Sequence, residues 1–364
     1  MYMRRRDGGL RTRILVDHIA RVRDPAFMPT VQLLARDNGF GLSRSLRLVA
    51  DALRKHGHDV VINGQDEACG RRRRLAATRV AVSFRSGLKS LNRILPRYDA
   101  NIMLEHIWPQ GLHEASRNIY MPNPEWVDRH DLRYLPRMDA VFGKTHDTVR
   151  IFREMGVTSS YVGFASEDRL DETVTRDRRF FHLAGGAYIK GTERLLSLWR
   201  KHPEWPLLTV LQDPSRARPG PTARNIAHRI EYLDLNDPVQ RREMSRLQNS
   251  HLFHLCPSET DGWGHYMAEA MGVGALVLSV DAPPMNEMVT TDRGLLINYH
   301  RSGRRRLATT YFFDEQALEK AVDGALSMPE EEMKKKREAA RHWFEQMCAS
   351  FPQRLHDAIV SAVA

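Results

Sequence analysis

Cys256 to Glu287 reads CPSETDGWGHYMAEAMGVGALVLSVDAPPMNE, and this stretch decides the fold. It runs an acid, Asp261, through the loop Asp261-Gly262-Trp263-Gly264 into an expected helix, His265 to Met271, that carries a second acid, Glu269. The glycines have no side-chain bulk, so a ligand can approach that loop's backbone. The first N–H groups of the helix would point at it, and a helix N-terminus favours an anion. His265 and Glu269 are four residues apart and share a helix face. A phosphate cradle with a carboxylate one turn further in meets the needs of a nucleoside diphosphate. The plainer alternative is a strand-loop-helix crossover with a solvated Asp and a surface Glu.

The segments around it alternate strand and helix. Thr30 to Ala35 reads as a buried strand, then Asn38-Gly39-Phe40-Gly41, a helix from Ser43 to Lys55, a stop at Gly57-His58 and a strand from Asp59 to Ile62. This is a β-α-β unit with a glycine-bearing first loop, the usual opening of a doubly wound domain. The loop lacks the third glycine of the dinucleotide fingerprint, so a plain tight turn is an equal reading. Leu10 to Val16 reads as a further strand. More strands are expected at Asn101 to Leu104, Asn118 to Met121, Ala140 to Phe142 and Ser160 to Val162, with a helix from Thr145 to Met155 closed by Gly156. They end in Glu105-His106, Pro122-Asn123-Pro124-Glu125 and Gly143-Lys144-Thr145-His146, and parallel sheets place functional loops at such ends. His106 is the candidate there, a sugar-hydroxyl partner or a satisfied structural histidine.

Ser166 to Arg179 is polar and reads as an interdomain linker, which gives domains of 1–170 and 178–347. A second series follows: the strand Phe180 to Leu183, the loop Ala184 to Gly191, the helix Thr192 to Lys201, strands at Leu207 to Leu211 and Ile230 to Leu233, the helix Pro238 to Asn249, and the strand Leu252 to Cys256. A long helix is expected from Pro329 to Met347. Pro352 should break it before a last short helix, about 348–364, that packs back on the first domain.

The signature resembles that of retaining glycosyltransferases of the GT-B fold, in particular family 4 (group 1). The residues that carry the likeness are Pro257, Ser258, Asp261, Gly262, Trp263, Gly264, Glu269, Ala270 and Met271, followed by Gly272 and Gly274. The first acid is usually Glu in that family, so Asp261 is one methylene shorter. The resemblance implies two facing Rossmann-like domains with an interdomain cleft. It also implies a nucleotide-sugar donor, a glycan or lipid-linked acceptor, no metal and no cofactor beyond that donor. Lys190 matches the lysine of the family's Gly-Arg-x-x-x-x-Lys-Gly pattern that contacts the diphosphate, whereas Gly186 stands at the arginine position. By resemblance Asp261 holds hydroxyls of the transferred sugar and Glu269 accepts from the ribose. Gly41, Gly185, Gly262 and Gly264 line the donor. His265 either donates to a phosphate or packs beside Trp263. Glu287 is either a further donor-side acid or the first-turn acid of the next helix. The family also implies retention of the anomeric configuration. An inverting enzyme would need a base, with His106 or Glu105 the first candidates.

Length and composition agree with two α/β domains. The chain has 364 residues, 42% of them hydrophobic, enough for two cores. No apolar run is long enough to span a membrane, and no signal-type stretch follows the basic start. Cytoplasmic location is the expectation, with peripheral attachment to the inner membrane face. Three scattered cysteines, Cys69, Cys256 and Cys348, suggest neither disulfides nor a zinc site. The net charge is +10, and the first hundred residues carry 21 Arg and Lys against 9 Asp and Glu. That excess suits an anionic membrane or phosphorylated glycolipid, with nucleic acid a lesser expectation. An arginine-rich coding bias explains it equally well. Two other classes stand beside the glycosyltransferase: a sugar-nucleotide epimerase of the same fold, which needs no acceptor, and a nucleic-acid-binding protein, whose binding would be indifferent to Glu269.

Overall fold

The computed structural model describes residues 28–36, 41–64, 96–218, 220–231 and 233–364. The expected strand at Leu10 to Val16, the loop residues 37–40, Cys69 and most of the basic N-terminal residues lie outside them. The first sheet has the order β2-β1-β3-β4-β5-β6, from β1 (Thr30–Ala35), β2 (Asp59–Gly64), β3 (Tyr98–Leu104), β4 (Ala115–Met121), β5 (Ala140–Gly143) and β6 (Ser159–Tyr161). α1 (Gly41–Lys55) joins β1 to β2, α2 (Arg129–Tyr134) lies between β4 and β5, and α3 (His146–Glu154) leads to β6. β1 and β3 are buried along almost their whole length, as strands covered on both faces should be. Gly57 takes φ +80° just past α1, the left-handed closure that ends a helix.

The second sheet has the order β12-β11-β10-β7-β8-β9. It is made of β7 (Asp177–Gly185), β8 (Leu208–Gln212), β9 (Ile226–Ile230), β10 (His251–Cys256), β11 (Leu276–Val280) and β12 (Leu295–Ile297). α4 (Thr192–Lys201) follows β7, α5 (Pro238–Ser250) precedes β10, α6 (His265–Gly272) joins β10 to β11 and α7 (Met285–Met288) follows β11. Read from its first strand this is the doubly wound order 3-2-1-4-5-6, whose direction reverses between β7 and β10. An antiparallel hairpin, β13 (Tyr299–Arg305) and β14 (Ala308–Phe313), then leads to α8 (Glu315–Ser327) and α9 (Glu330–Val363).

Two expectations fail. The strand placed at Ile230 to Leu233 is β9, four residues earlier, pairing Leu208 with Ile226 through Gln212 with Ile230. The apolar residues beyond it serve packing instead, Leu233 and Leu235 lying against Phe181, Met244 and Leu247. As an edge strand β9 needs no apolar run of its own. Pro352 does not break the last helix either, since α9 continues through it. Phe351, Leu355, Ile359 and Val363 recur every four residues and are all buried, so burial of one stripe offsets the lost backbone bond.

The chain forms two compact units. One takes in the residues through Met121, His130–Val141 and Pro352–Ala364; the other takes in Pro122–Arg129 and Phe142–Phe351. Between Ser166 and Arg176 there is no helix or strand, yet the segment is bonded into the second unit. Arg176 donates to Gly274 O at 2.7 Å and Asn249 donates to Arg169 O at 2.7 Å. Among the described residues no helix is long and apolar enough to cross a membrane.

Candidate functional site

In a doubly wound sheet, ligands bind outside the carboxyl ends of the strands where the strand order reverses. In the second sheet the adjacent strands there are β7 and β10. The loop after β7 ends in the 3-10 turn Tyr188–Lys190, and the loop after β10 is the Asp261-Gly262-Trp263-Gly264 stretch. Lys190 and Asp261 meet there: the ammonium donates to Asp261 Oδ2, and both side chains are mostly buried. Lys190 Nζ also lies 3.8 Å from the centre of the Tyr266 ring, whose hydroxyl bonds Ser258 Oγ at 2.6 Å. The turn is locked to the loop by close backbone packing. Gly191, at φ +69°, abuts Pro257 O so tightly that a Cβ would lie 2.6 Å from it, and Glu259 N–H donates to Ile189 O at 2.8 Å.

The glycine at 262 serves a different neighbour from the one expected. A Cβ there would fall 2.7 Å from Asn123 Oδ1 and 2.8 Å from Asn123 Cα, so the space is filled by the chain itself. Gly262 N–H donates to Glu125 Oε1 at 2.9 Å. Glu125 is 2% exposed. Burial, and then the charge of Asp261, push its carboxyl up to about 7. Lys144, also buried, donates to Asn123 Oδ1 at 2.7 Å. The Pro122-Asn123-Pro124-Glu125 and Gly143-Lys144 stretches therefore support the signature loop from inside the same compact unit.

The other sequence candidates fall as follows. Glu269 is 1% exposed, and its carboxylate accepts from Gln248 Nε2 at 2.9 Å and Arg169 Nη1 at 3.3 Å. It is the buried anchor of α6. His265 Nδ1 lies 2.8 Å from Ser166 Oγ, which also accepts from Trp263 Nε1 at 3.2 Å, so one hydroxyl ties this histidine to the neighbouring tryptophan. In the first turn of α6, His265 N–H goes to Trp263 O and Met267 N–H to Gly264 O, each at 2.9 Å. Gly185 ends β7 at φ +55°, and Gly41 is the first residue of α1. Glu287, in the first turn of α7, accepts from His146 N–H and Asp147 N–H at 2.7 Å each. Both lone-pair sets thus cap α3, although burial raises its carboxyl pKa.

In the first sheet β1 lies between β2 and β3, and His106 follows β3. Its Nδ1 is 2.9 Å from Asp131 Oδ2, and Asp131 Oδ1 accepts Ile107 N–H at 2.8 Å. Asp131 is buried and His106 partly exposed, so the carboxylate fixes the orientation of the imidazole. Glu105 takes φ +64°, a left-handed conformation uncommon outside glycine, and Tyr120 OH donates to its carbonyl at 2.7 Å. Such strain concentrates at functional positions.

No family model matches the sequence, and no curated protein matches it. The structure does match solved ones. A glycosyltransferase from Rickettsia africae ESF-5 aligns with a TM-score of 0.65 at 13% identity, covering 92% of this chain and 98% of that one. Anabaena Alr3699/HepE in complex with UDP and glucose gives 0.61 at 12% identity, covering 91% and 100%. The pneumococcal O-GlcNAc transferase GtfA, in complex with UDP and GlcNAc, gives 0.53 at 15% identity, covering 76% of this chain. The match spans 59% of GtfA's length, less than two thirds. The fold is GT-B. It comprises two Rossmann-like domains, each with a parallel six-stranded sheet and flanking helices. Nothing in the sequence marks Glu125 or Lys144 individually. Their one legible signal was position, at the carboxyl ends of β4 and β5.

Proposed function

We propose that this chain is a glycosyltransferase that moves a hexose-like sugar from a nucleoside-diphosphate sugar to a glycan or lipid-linked acceptor. The pairing of Lys190 with Asp261 at the switch point of the second sheet carries the reading. Similarity in fold to proteins solved with UDP and sugars supports it. On binding, Lys190 exchanges Asp261 for the diphosphate and offsets the charge that grows as the sugar–phosphate bond breaks. Asp261, released, accepts hydroxyls of the sugar. The electron pair of the breaking C–O bond leaves with the diphosphate. The acceptor hydroxyl attacks the same face, and its proton passes to the departing phosphate oxygen, so configuration is retained. Lys190 performs the neutralising role, with no metal or further cofactor. The expected setting is the cytoplasm, with contact to the inner membrane face where the acceptor is lipid-linked.

A thermal-shift screen of nucleoside diphosphates and their sugars tests the donor site. At least one should raise the melting temperature of the wild type at millimolar concentration, and Lys190→Ala should abolish the shift. If none stabilises the wild type, the reading fails. Anomeric analysis of the product by NMR tests retention, and an inverted linkage would require a base, with His106 or Glu105 the first candidates.

A further inference from the structure

Two buried polar atoms beside the Lys190–Asp261 pair lack hydrogen-bond partners among the described residues: Glu125 Oε2 and Arg305 Nε. Each such orphan costs stability unless something completes it. Arg305 ends β13, and the turn after it is fastened to the Glu125 loop by Leu307 N–H donating to Pro124 O at 3.2 Å. Its guanidinium lies 4.5 Å from the centre of the Trp126 ring and 4.4 Å from that of Tyr188. The two rings meet edge to face at 6.1 Å. Rings on a guanidinium hold its plane and leave its N–H edge for a planar partner. Tyr188 is 52% exposed, so the outer side of this ring pair faces solvent, and Tyr188 shares its turn with Lys190.

We propose that Arg305 and Glu125, framed by Trp126 and Tyr188, form a seat for an oxyanion of the substrate, a phosphate or carboxylate group. The inference rests on the nucleotide-sugar reading and deepens it. Arginine offers only donors, so Nε asks for an acceptor, and a charged acceptor gives the strongest bond. Burial raises the Glu125 carboxyl to about 7, so its protonated form, which donates to the same group, is populated at neutral pH. Two sources share this chemistry: the diphosphate of the donor, with Arg305 replacing the arginine absent at Gly186, or an acid group on the sugar itself.

Calorimetry on the full chain separates them. The probes are a nucleoside, its diphosphate, and the matched diphosphate sugars glucose and glucuronate, against wild type, Arg305→Gln and Arg305→Lys, with circular dichroism to verify folding. If the seat holds the donor diphosphate, Arg305→Gln weakens the diphosphate about tenfold or more and leaves the nucleoside unchanged. If it holds a sugar acid, the wild type prefers the glucuronate about tenfold, Arg305→Gln erases that preference, and the diphosphate alone binds as before. In either case Arg305→Lys restores only part of the effect, because it lacks the planar fork. Unchanged affinities in folded Arg305→Gln overturn the seat while leaving the donor site standing. Failure of the wild type to bind any diphosphate overturns both.

Discussion

At position 262 a single hydrogen is all that Asn123 leaves room for. Gly262→Ala should destabilise the protein by about 1–3 kcal/mol, the usual range for overpacking, and weaken donor binding by displacing Asp261. Gly186→Ala, whose Cβ would meet nothing nearer than Asp213 at 3.9 Å, should change neither; chemical denaturation of the two variants gives the comparison. Glu125 supplies a pH signature. Its folded pKa of about 7 stands above the ordinary carboxyl value of 4.5, so the folded state resists its ionisation. The resulting penalty is absent below pH 4.5, grows between 4.5 and 7, and is complete above 7. Glu125→Gln keeps the acceptor for Gly262 N–H and should therefore stabilise the protein above pH 7, by up to about 3 kcal/mol, with no gain near pH 4. A gain independent of pH would contradict this. At this scale the sequence showed Lys190 and Asp261 because each follows a buried strand in a glycine-bearing loop. Glu125 had only its place after a strand and Arg305 no mark at all: what brings their segments together is a hairpin fastened to a loop far away in the chain.

Among elements, α3 illustrates how a distant acid finishes a helix. Its own cap, Thr145, accepts from Thr148 N–H at 3.2 Å, and Glu287 takes the two N–H groups that Thr145 does not reach. Glu287→Gln replaces one accepting oxygen with an amide that opposes a donor, and removes the charge at the positive end of the helix. It should cost about 1–2 kcal/mol in thermal unfolding. If Glu287 served a ligand alone, the same change would leave the free protein's melting point intact. Element boundaries were most legible where apolar residues and caps agreed. The sequence places a helix at Thr192–Lys201, where the structure has it, with Gly191 before it. They were least legible at β9, a half-buried edge strand, and at Pro352, where burial of a four-residue stripe outweighed a local breaker.

For the whole molecule, the compact unit that carries the site is not a contiguous half of the chain. It includes Pro122–Arg129 and begins again at Phe142, so a fragment of residues 178–351 lacks Glu125, Lys144, Ser166 and Arg169. Glu269 would then be buried without its arginine, a loss of about 3–5 kcal/mol for a broken buried pair. That fragment should show no cooperative melt by circular dichroism, and a sharp transition would disprove the dependence. Alternating strands and helices made the two-sheet architecture readable throughout. The support from Asn123, Glu125 and Lys144 was not, because sequence order hides contacts between segments more than a hundred residues apart.

The Lys190–Asp261 pair also sets an order of events. Lys190 and Asp261 each have their counter-charge in the other, so a neutral sugar arriving alone finds Asp261 occupied and has nothing to offer Lys190. A diphosphate does, and only after it has drawn the lysine away does the aspartate become available to hydroxyls. Under the proposed function, then, binding is sequential. Glucose without nucleotide should give no heat in calorimetry, and adding the nucleoside diphosphate first should make the same glucose titration measurable.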